Sequence, residues 1–249
     1  MWSDLTFPIV IAHRGDKAYA PENTLSAFKQ AAEKGADAVE FDVKLTSDGH
    51  VIVLHDQTVD RTTSGTGDVS KLSFAAVRDL DASVLFPGQF PEEKIPTLDE
   101  VFETVGKFVY LNIELTNYAT PNDDLVSKVV ELIKKHNISK RIWFSSFLSI
   151  NLDKAKQLLE SVPRGLLASE LWRGISARRE WQYGRYQSLN PFYLDTNYRL
   201  VKKIHSQGGL LFVYTVNQPI EMRRLVRIGV DGIITDNPAL ALRLLGRGR

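Results

Sequence analysis

A chain of 249 residues, 43% hydrophobic and 24% charged, has the composition of an ordinary globular protein with a full-sized core. Its 31 basic and 30 acidic residues leave a formal net charge of +1, so no whole-molecule field draws it to nucleic acid, and any anion must be recognised locally. With no cysteine, disulfides, thiolate zinc sites and cysteine nucleophiles are excluded.

The opening MWSDLTFPIVIAHRG lacks a basic n-region, and its apolar run is too short for a signal or a membrane span. A cytoplasmic location without stable membrane insertion is the expectation. From here on, runs rich in β-branched residues alternate with helix-period segments. In chain order the predicted strands are IVIAH (9–13), AVEFDV (38–43), VIVLHD (51–56), VYLNIEL (109–115), IWFSSF (142–147), GLLAS (165–169), LNPFY (189–193), LFVYTV (211–216) and GIITD (232–236). Helical stretches such as NTLSAFKQAAEKG, DDLVSKVVELIKKHN and QPIEMRRLVRIGV lie between them, with Gly35, Asn137 and Gly229 as stops.

Taking AVEFDV and VIVLHD as neighbours joined by the turn TSDG, the count suits a (β/α)8 TIM-type barrel with one extra or extended strand, over residues 1–249 as one domain. An open doubly wound sheet is the alternative, but no glycine-rich phosphate loop follows the first strand. Residues 57–97 break the alternation: the ends are rich in glycine, proline, serine and threonine around a short helical piece, SFAAVRDL. A connection of that length reads as an insertion above the barrel mouth.

Polar residues recur at the ends of the strands, where barrels of this type carry their chemistry. Glu40 and Asp42 share one face of their strand, since residues two apart point the same way. Glu114 ends another strand beside Asn112. Buried carboxylates repel and lose hydration, and three with no cysteine nearby call for one hard divalent cation, magnesium or calcium, with manganese also fitting. The competing reading is a structural ion pair with Arg14 or Lys44. His13 and His55 each end an apolar run beside other polar candidates, and an imidazole pair suits general acid and base work. Arg14 suits a forked contact to a phosphate oxygen. His50, His136 and His205 read as structural or exposed. PENT (21–24) reads as structural too, with Asn23 or Thr24 capping the next helix and Glu22 holding the loop.

Taken in order, HRG, APENT, EFDV, TSDG, HD, DRTTSGTG, IPTLDEV, LNIE, TVN and DGIITDNP resemble the glycerophosphodiester phosphodiesterase family, from Ile9 to about Pro238. The resemblance implies a barrel of eight β/α units with a small insertion and divalent-metal-dependent hydrolysis of a small-molecule glycerophosphodiester to glycerol 3-phosphate and an alcohol. It implies Glu40, Asp42 and Glu114 as metal ligands, His13 and His55 as the acid-base pair, and Arg14 as a phosphate contact. Two positions depart from the pattern. Thr116 stands where members commonly carry lysine, and Tyr214 stands where many carry tryptophan.

If the strand continues past Glu114, Thr116 lies on the same face, and its lack of charge predicts weak phosphate binding. Tyr214, with Phe86 and Phe90 of the insertion, offers aromatic faces for the alcohol's head group. Related activities remain open: a lysophospholipase D, a lyase stopping at a cyclic phosphate, or a non-catalytic barrel that binds phosphodiesters. The segment ELWRGISARREWQYGRY (170–186) reads as an amphipathic helix packed on the barrel, with contact to a membrane surface as its alternative. Nothing in the sequence signals an oligomeric state.

Overall fold

The computed structural model describes residues 4–184 and 186–248, so Met1 to Ser3 of the opening segment and Arg185 of the 170–186 segment lie outside the described residues. The order is β1 (Ile9–His13), α1 (Leu25–Glu33), β2 (Ala38–Leu45), β3 (Val51–Val53), α2 (Phe74–Arg78), α3 (Leu98–Val105), β4 (Tyr110–Leu115), α4 (Leu125–His136) and β5 (Ile142–Ser146). It continues with α5 (Ser149–Leu158), β6 (Arg164–Ala168), α6 (Ile175–Gly184), β7 (Ser188–Pro191), α7 (Tyr198–His205), β8 (Leu210–Val213), α8 (Pro219–Ile228), β9 (Gly232–Thr235) and α9 (Pro238–Leu244).

Eight strands run parallel in the order β1, β9, β8, β7, β6, β5, β4, β2, and β1 pairs with β2 to close the barrel. The closed barrel expected from the alternation is borne out. Its strands are buried along nearly their whole length because both faces are covered. In β1, Ile9 and Ile11 point into the barrel, where they join Ala38, Tyr110, Trp143, Phe212 and Ile234 in one buried cluster. Val10 and Ala12 point outward into the larger layer between strands and helices. Helix ends follow local chemistry. The Thr24 side chain accepts from Ala27 N, Thr97 and Glu100 form a reciprocal capping box, and Asn137 and Gly229 close α4 and α8 in the left-handed conformation.

β3 differs from its expectation. It ends at Val53, well short of Asp56, and it is no stave of the barrel: it pairs antiparallel with the outer half of β2, Val43 opposite Val53 and Leu45 opposite Val51. This reversal has a consequence for the mouth. A strand running back toward the barrel delivers its last residues to the rim, and Leu54 N donates to Asp42 O at 3.0 Å. The 57–97 segment stands on this hairpin. Val59, Val69, Val77, Ala82 and Ile95 form a small core with Ile52 and Leu54. Among the described residues no helix is long and apolar enough to cross a membrane.

Phe212 is fully buried in the inner cluster, 5.8 Å from the Trp143 ring between centroids. Phe212→Ala is expected to destabilise the fold by about 3–5 kcal/mol in urea unfolding; a loss below about 1 kcal/mol would show that the barrel interior does not depend on this packing.

Candidate functional site

The register of β2 against β4 sets the site. Asp42 lies opposite Glu114 and Glu40 opposite Asn112, so the three acids converge at the mouth. One oxygen from each of Glu40, Asp42 and Glu114 lies within 4.8 Å of the others. Glu40 and Asp42 are buried at 2% and 1% exposure. Burial, with Asp42 and Glu114 adjacent, pushes the Glu40 carboxyl well above its ordinary range, and burial beside Asp42 pushes Glu114 up to about 7. Glu40 Oε1 is buried without a hydrogen-bond partner. An oxygen-only donor set with an unspent buried oxygen fits a hard divalent cation.

His13, Arg14, Glu40, His55, Glu114 and Tyr214 line one cavity of about 200 Å³, together with Phe147 and Leu167. Each histidine is held from behind. His13 Nδ1 lies 2.6 Å from Asp236 Oδ1, and His55 Nδ1 lies 2.5 Å from Asp56 Oδ1. Despite partial burial both aspartates are held below their ordinary range, Asp236 chiefly by His13, and Asp56, at about 2, by Arg61 and His55. As ionised acceptors they fix the proton on Nδ1 and leave Nε2 as the working nitrogen. His13 Nε2 is 4.0 Å from Glu40 Oε2. Burial, reinforced by Arg14, lowers the His13 pKa against the pull of Asp236, so this ring is neutral at neutral pH.

Arg14 sits at φ 55, a left-handed conformation rare outside glycine, where its N–H donates to Glu40 Oε2 at 3.1 Å. Gly15 follows at φ +86, and a Cβ there would lie 2.6 Å from that of Ala27, which explains the glycine of HRG. The Arg14 side chain donates from Nη1 to Glu22 at 2.9 Å and places Nε 3.3 Å from Asp42. Arg61, from the insertion, forks onto Glu22 at 2.7 and 2.9 Å and onto Asp56 through Nε at 2.6 Å. Asn23 donates to Asp42 at 3.0 Å. PENT has the structural roles expected of it: Thr24 is the cap and Glu22 holds the loop through Arg14 and Arg61, while Asn23 in addition binds Asp42.

The Thr116 expectation is corrected. β4 ends at Leu115, and the Thr116 hydroxyl turns back to donate to Val43 O at 2.9 Å. The position already holds a cation: Lys44 Nζ, from β2, donates to Thr116 O at 2.7 Å and to its hydroxyl at 3.2 Å. Lys44 is buried and forms no ion pair shorter than 4.0 Å among the described residues, yet it feels Asp42 and Glu114. Tyr118, beside the Lys44 ammonium, donates its hydroxyl to Glu114 at 2.6 Å. The expected aromatic grouping also changes. Phe86 and Phe90 pack edge-on against each other and do not line the cavity, while Phe147 lies 6.0 Å from Tyr214 and Phe192 lies 6.2 Å from it.

Sequence reasoning did not single out Asp236, Arg61 or Phe147, and it named Lys44 only as an ion-pair partner for Glu40 or Asp42. Asp236 was legible, since TDNP closes a strand as HRG does; Arg61 carried no signal that separates it from a surface cation. His50, His136 and His205 bond to Asp48, Asp99 and Asp231, away from the cavity.

Comparison with known proteins adds independent findings. The model of the glycerophosphoryl diester phosphodiesterase family matches residues 13–240. A glycerophosphodiester phosphodiesterase of Caldanaerobacter subterraneus subsp. tengcongensis is 41% identical over 245 residues, covering 96% of this chain and 98% of that protein. An Oleispira antarctica phosphodiesterase, solved in complex with the product sn-glycerol-3-phosphate, superposes with a TM-score of 0.88 at 29% identity, over 96% of this chain and 97% of that one. The glycerophosphodiester phosphodiesterase of Thermotoga maritima gives 0.76 at 31% identity, over 95% and 97%.

Two outcomes follow from the charges. The fold keeps a proton on Glu114 up to about pH 7 that an unfolded chain releases near 4.5, so this residue lowers stability as pH rises between those values. A divalent cation takes the deprotonated form, and the melting-temperature increase on adding it should be larger at pH 8 than at pH 5; an increase independent of pH would contradict the arrangement. Thr116→Lys should cost on the order of 3 kcal/mol by setting a second ammonium against Lys44, with recovery in Thr116→Lys/Lys44→Thr. Equal stability of wild type and single variant would show that the two positions do not meet.

Proposed function

The chain belongs to the glycerophosphoryl diester phosphodiesterase family, and from that premise we propose that it hydrolyses glycerophosphodiesters to glycerol 3-phosphate and an alcohol through a His13/His55 acid-base pair. The observation that carries the reading is the pairing of two imidazoles, each fixed on Nδ1 by an aspartate, with three convergent carboxylates, two of which line the same cavity as the histidines.

Hydrolysis of a phosphodiester requires a barrier reduction of at least ~8 kcal/mol. Glu40, Asp42 and Glu114 are the residues to hold one divalent cation, magnesium, calcium or manganese, whose contribution when bound is charge neutralisation at a phosphate oxygen and a lowered pKa for a neighbouring hydroxyl. The charge balance supports this. Glu22, Glu40, Asp42, Asp56, Glu114 and Asp236 face Arg14, Lys17, Lys44 and Arg61, six acids against four fixed cations, and a divalent ion matches the formal excess of two. An anionic diester then leaves one charge to be met, which a single protonated histidine meets.

His13, neutral through burial, is suited to be the base: its Nε2 takes the proton of the attacking hydroxyl, either the glycerol's own or that of water. His55, more exposed and braced by Asp56, is suited to give a proton to the departing alcohol. Arg14 meets the phosphate with those of its five N–H donors that Glu22 and Asp42 leave over. Phe147 and Tyr214 wall the alcohol side; the Tyr214 hydroxyl is engaged with Ala168 O at 2.8 Å, so it is the ring face that is presented.

Release of glycerol 3-phosphate from glycerophosphocholine should require a divalent cation, and sustained turnover after exhaustive chelation would overturn the role of the three acids. His13→Ala and His55→Ala should each lower kcat by ~10²–10⁴ while leaving cation affinity nearly intact. The acid limb of the pH profile should lie below 6.5, the ordinary histidine value, because His13 must be deprotonated. Asp236→Asn, which removes the group that raises the His13 pKa, should move that limb lower still and reduce the plateau rate; an unshifted limb would assign it to another group. A diester lacking the adjacent glycerol hydroxyl should bind without being cleaved if that hydroxyl is the nucleophile, and equal cleavage would assign attack to water.

A further inference from the structure

Each acid of the triad is held on one oxygen by a donor from outside it. The Arg14 N–H holds Glu40 Oε2 at 3.1 Å, and Asn23 Nδ2 holds Asp42 Oδ2 at 3.0 Å, the same oxygen that faces Arg14 Nε at 3.3 Å. The Tyr118 hydroxyl holds Glu114 Oε1 at 2.6 Å. What remains for an ion is one oxygen on each acid, and on Glu40 that oxygen, Oε1, is buried with no hydrogen-bond partner. A carboxylate chelates a cation only when both its oxygens turn toward the ion, so a donor fixed on one of them limits the acid to a single ligand atom.

The donors differ in origin. Those on Glu40 and Asp42 belong to a linked stretch of backbone: Arg14 at φ 55 and Asn23 at φ 58 are both left-handed, and Asn23 N donates to Arg14 O at 3.0 Å. The donor on Glu114 is a separate side chain, and it is 40% exposed. Packing alone gives a half-exposed ring little reason to be fixed, yet the loop that carries Tyr118 is tied on both sides. Lys44 Nζ donates to Thr116 O at 2.7 Å, and Asn117, buried at 3% exposure, donates to Asp123 at 2.7 Å and accepts from Asn151 at 2.7 Å. The Tyr118 ring then stands edge-on to Phe147, 6.0 Å between centroids, with the Lys44 ammonium 5.9 Å from its centre. What this bracing delivers is a hydroxyl onto Glu114.

We propose that Tyr118 is a positioning residue that holds Glu114 to a single oxygen and so sets the site's selectivity toward magnesium and away from calcium; this rests on the metal reading above. Magnesium takes about six oxygens in a tight octahedron and keeps several of its waters, which three single carboxylate oxygens allow. Calcium takes roughly six to eight at longer distance and is favoured by a carboxylate that offers both oxygens. The hydroxyl on Glu114 withholds the second oxygen; its removal makes that oxygen free to turn toward the ion.

The test is calorimetric titration of magnesium chloride and of calcium chloride into metal-free protein, without substrate, for the wild type and Tyr118→Phe. It is run at pH 8, above the Glu114 pKa of about 7. Phenylalanine keeps the ring against Phe147 and removes the hydroxyl alone. The ratio of the calcium to the magnesium dissociation constant should fall at least about tenfold in the variant, the low end of the ~10–100-fold effect of such a partner on metal affinity. A change in the basicity of Glu114 moves both constants together and cancels in the ratio. Tyr118→Leu, which removes ring and hydroxyl together, should move the ratio the same way. An unchanged ratio, or an equal loss of affinity for both ions, would overturn the proposal, the second by making Tyr118 a support of the site as a whole. If neither ion binds the wild type, the metal reading itself falls.

Discussion

Three carboxylates on adjacent parallel strands are the constraint around which the rest of the mouth is arranged. The register that sets Asp42 beside Glu114 brings like charges together in a buried place, and burial beside that charge pushes the Glu40 and Glu114 carboxyls toward their protonated forms. The neighbouring structure answers that charge in several ways at once. Arg14 adopts a left-handed backbone so that its amide reaches Glu40 while its side chain reaches Asp42, Asn23 donates to Asp42, and the buried Lys44 ammonium, held on Thr116, feels Asp42 and Glu114. These groups reduce the repulsion without removing it, and the remaining excess of negative charge is what a divalent cation held there would offset.

Around that centre the two imidazoles are built alike from unrelated parts of the chain. Asp236 reaches His13 from the far end of the sequence, whereas Asp56 is the next residue after His55. The second arrangement needs the β3 hairpin, since only a strand running antiparallel to β2 returns its end to the rim. Arg61 then binds Asp56 and Glu22 together, so the insertion is tied both to the histidine it follows and to the guanidinium of Arg14. The insertion is thus part of the site's framework as well as a cover beside it. Its own core includes Ile52 and Leu54 of the hairpin, which couples the packing of that small unit to the placement of His55.

The division of the rim into ionic and apolar halves follows from the same topology. Ion pairs gather where β9, β1 and β2 meet, because the acids and their partners lie at those strand ends. The connections leaving β5, β7 and β8 carry Phe147, Phe192 and Tyr214. Apolar walls on one side lower the local dielectric, which strengthens each electrostatic contact on the other.

Much of this was legible in the residues alone. Alternating apolar and helix-period segments imply parallel strands joined by helices, because covering both faces of a sheet demands it, and period two puts Glu40 and Asp42 on one face whatever the fold. The histidines, Arg14 and Glu114 stand out as polar groups closing apolar runs. What the chain could not reveal locally is everything that depends on closure and register: the sense of β3, the pairing of His13 with Asp236 across 223 positions, and the Lys44 ammonium at Thr116 across 72. Thr116 is the clearest case, since the same-face argument holds only while a strand continues, and β4 ends one residue earlier. Local sequence sets which way a side chain points within its own element; which distant group waits there is decided only when eight strands close on one another.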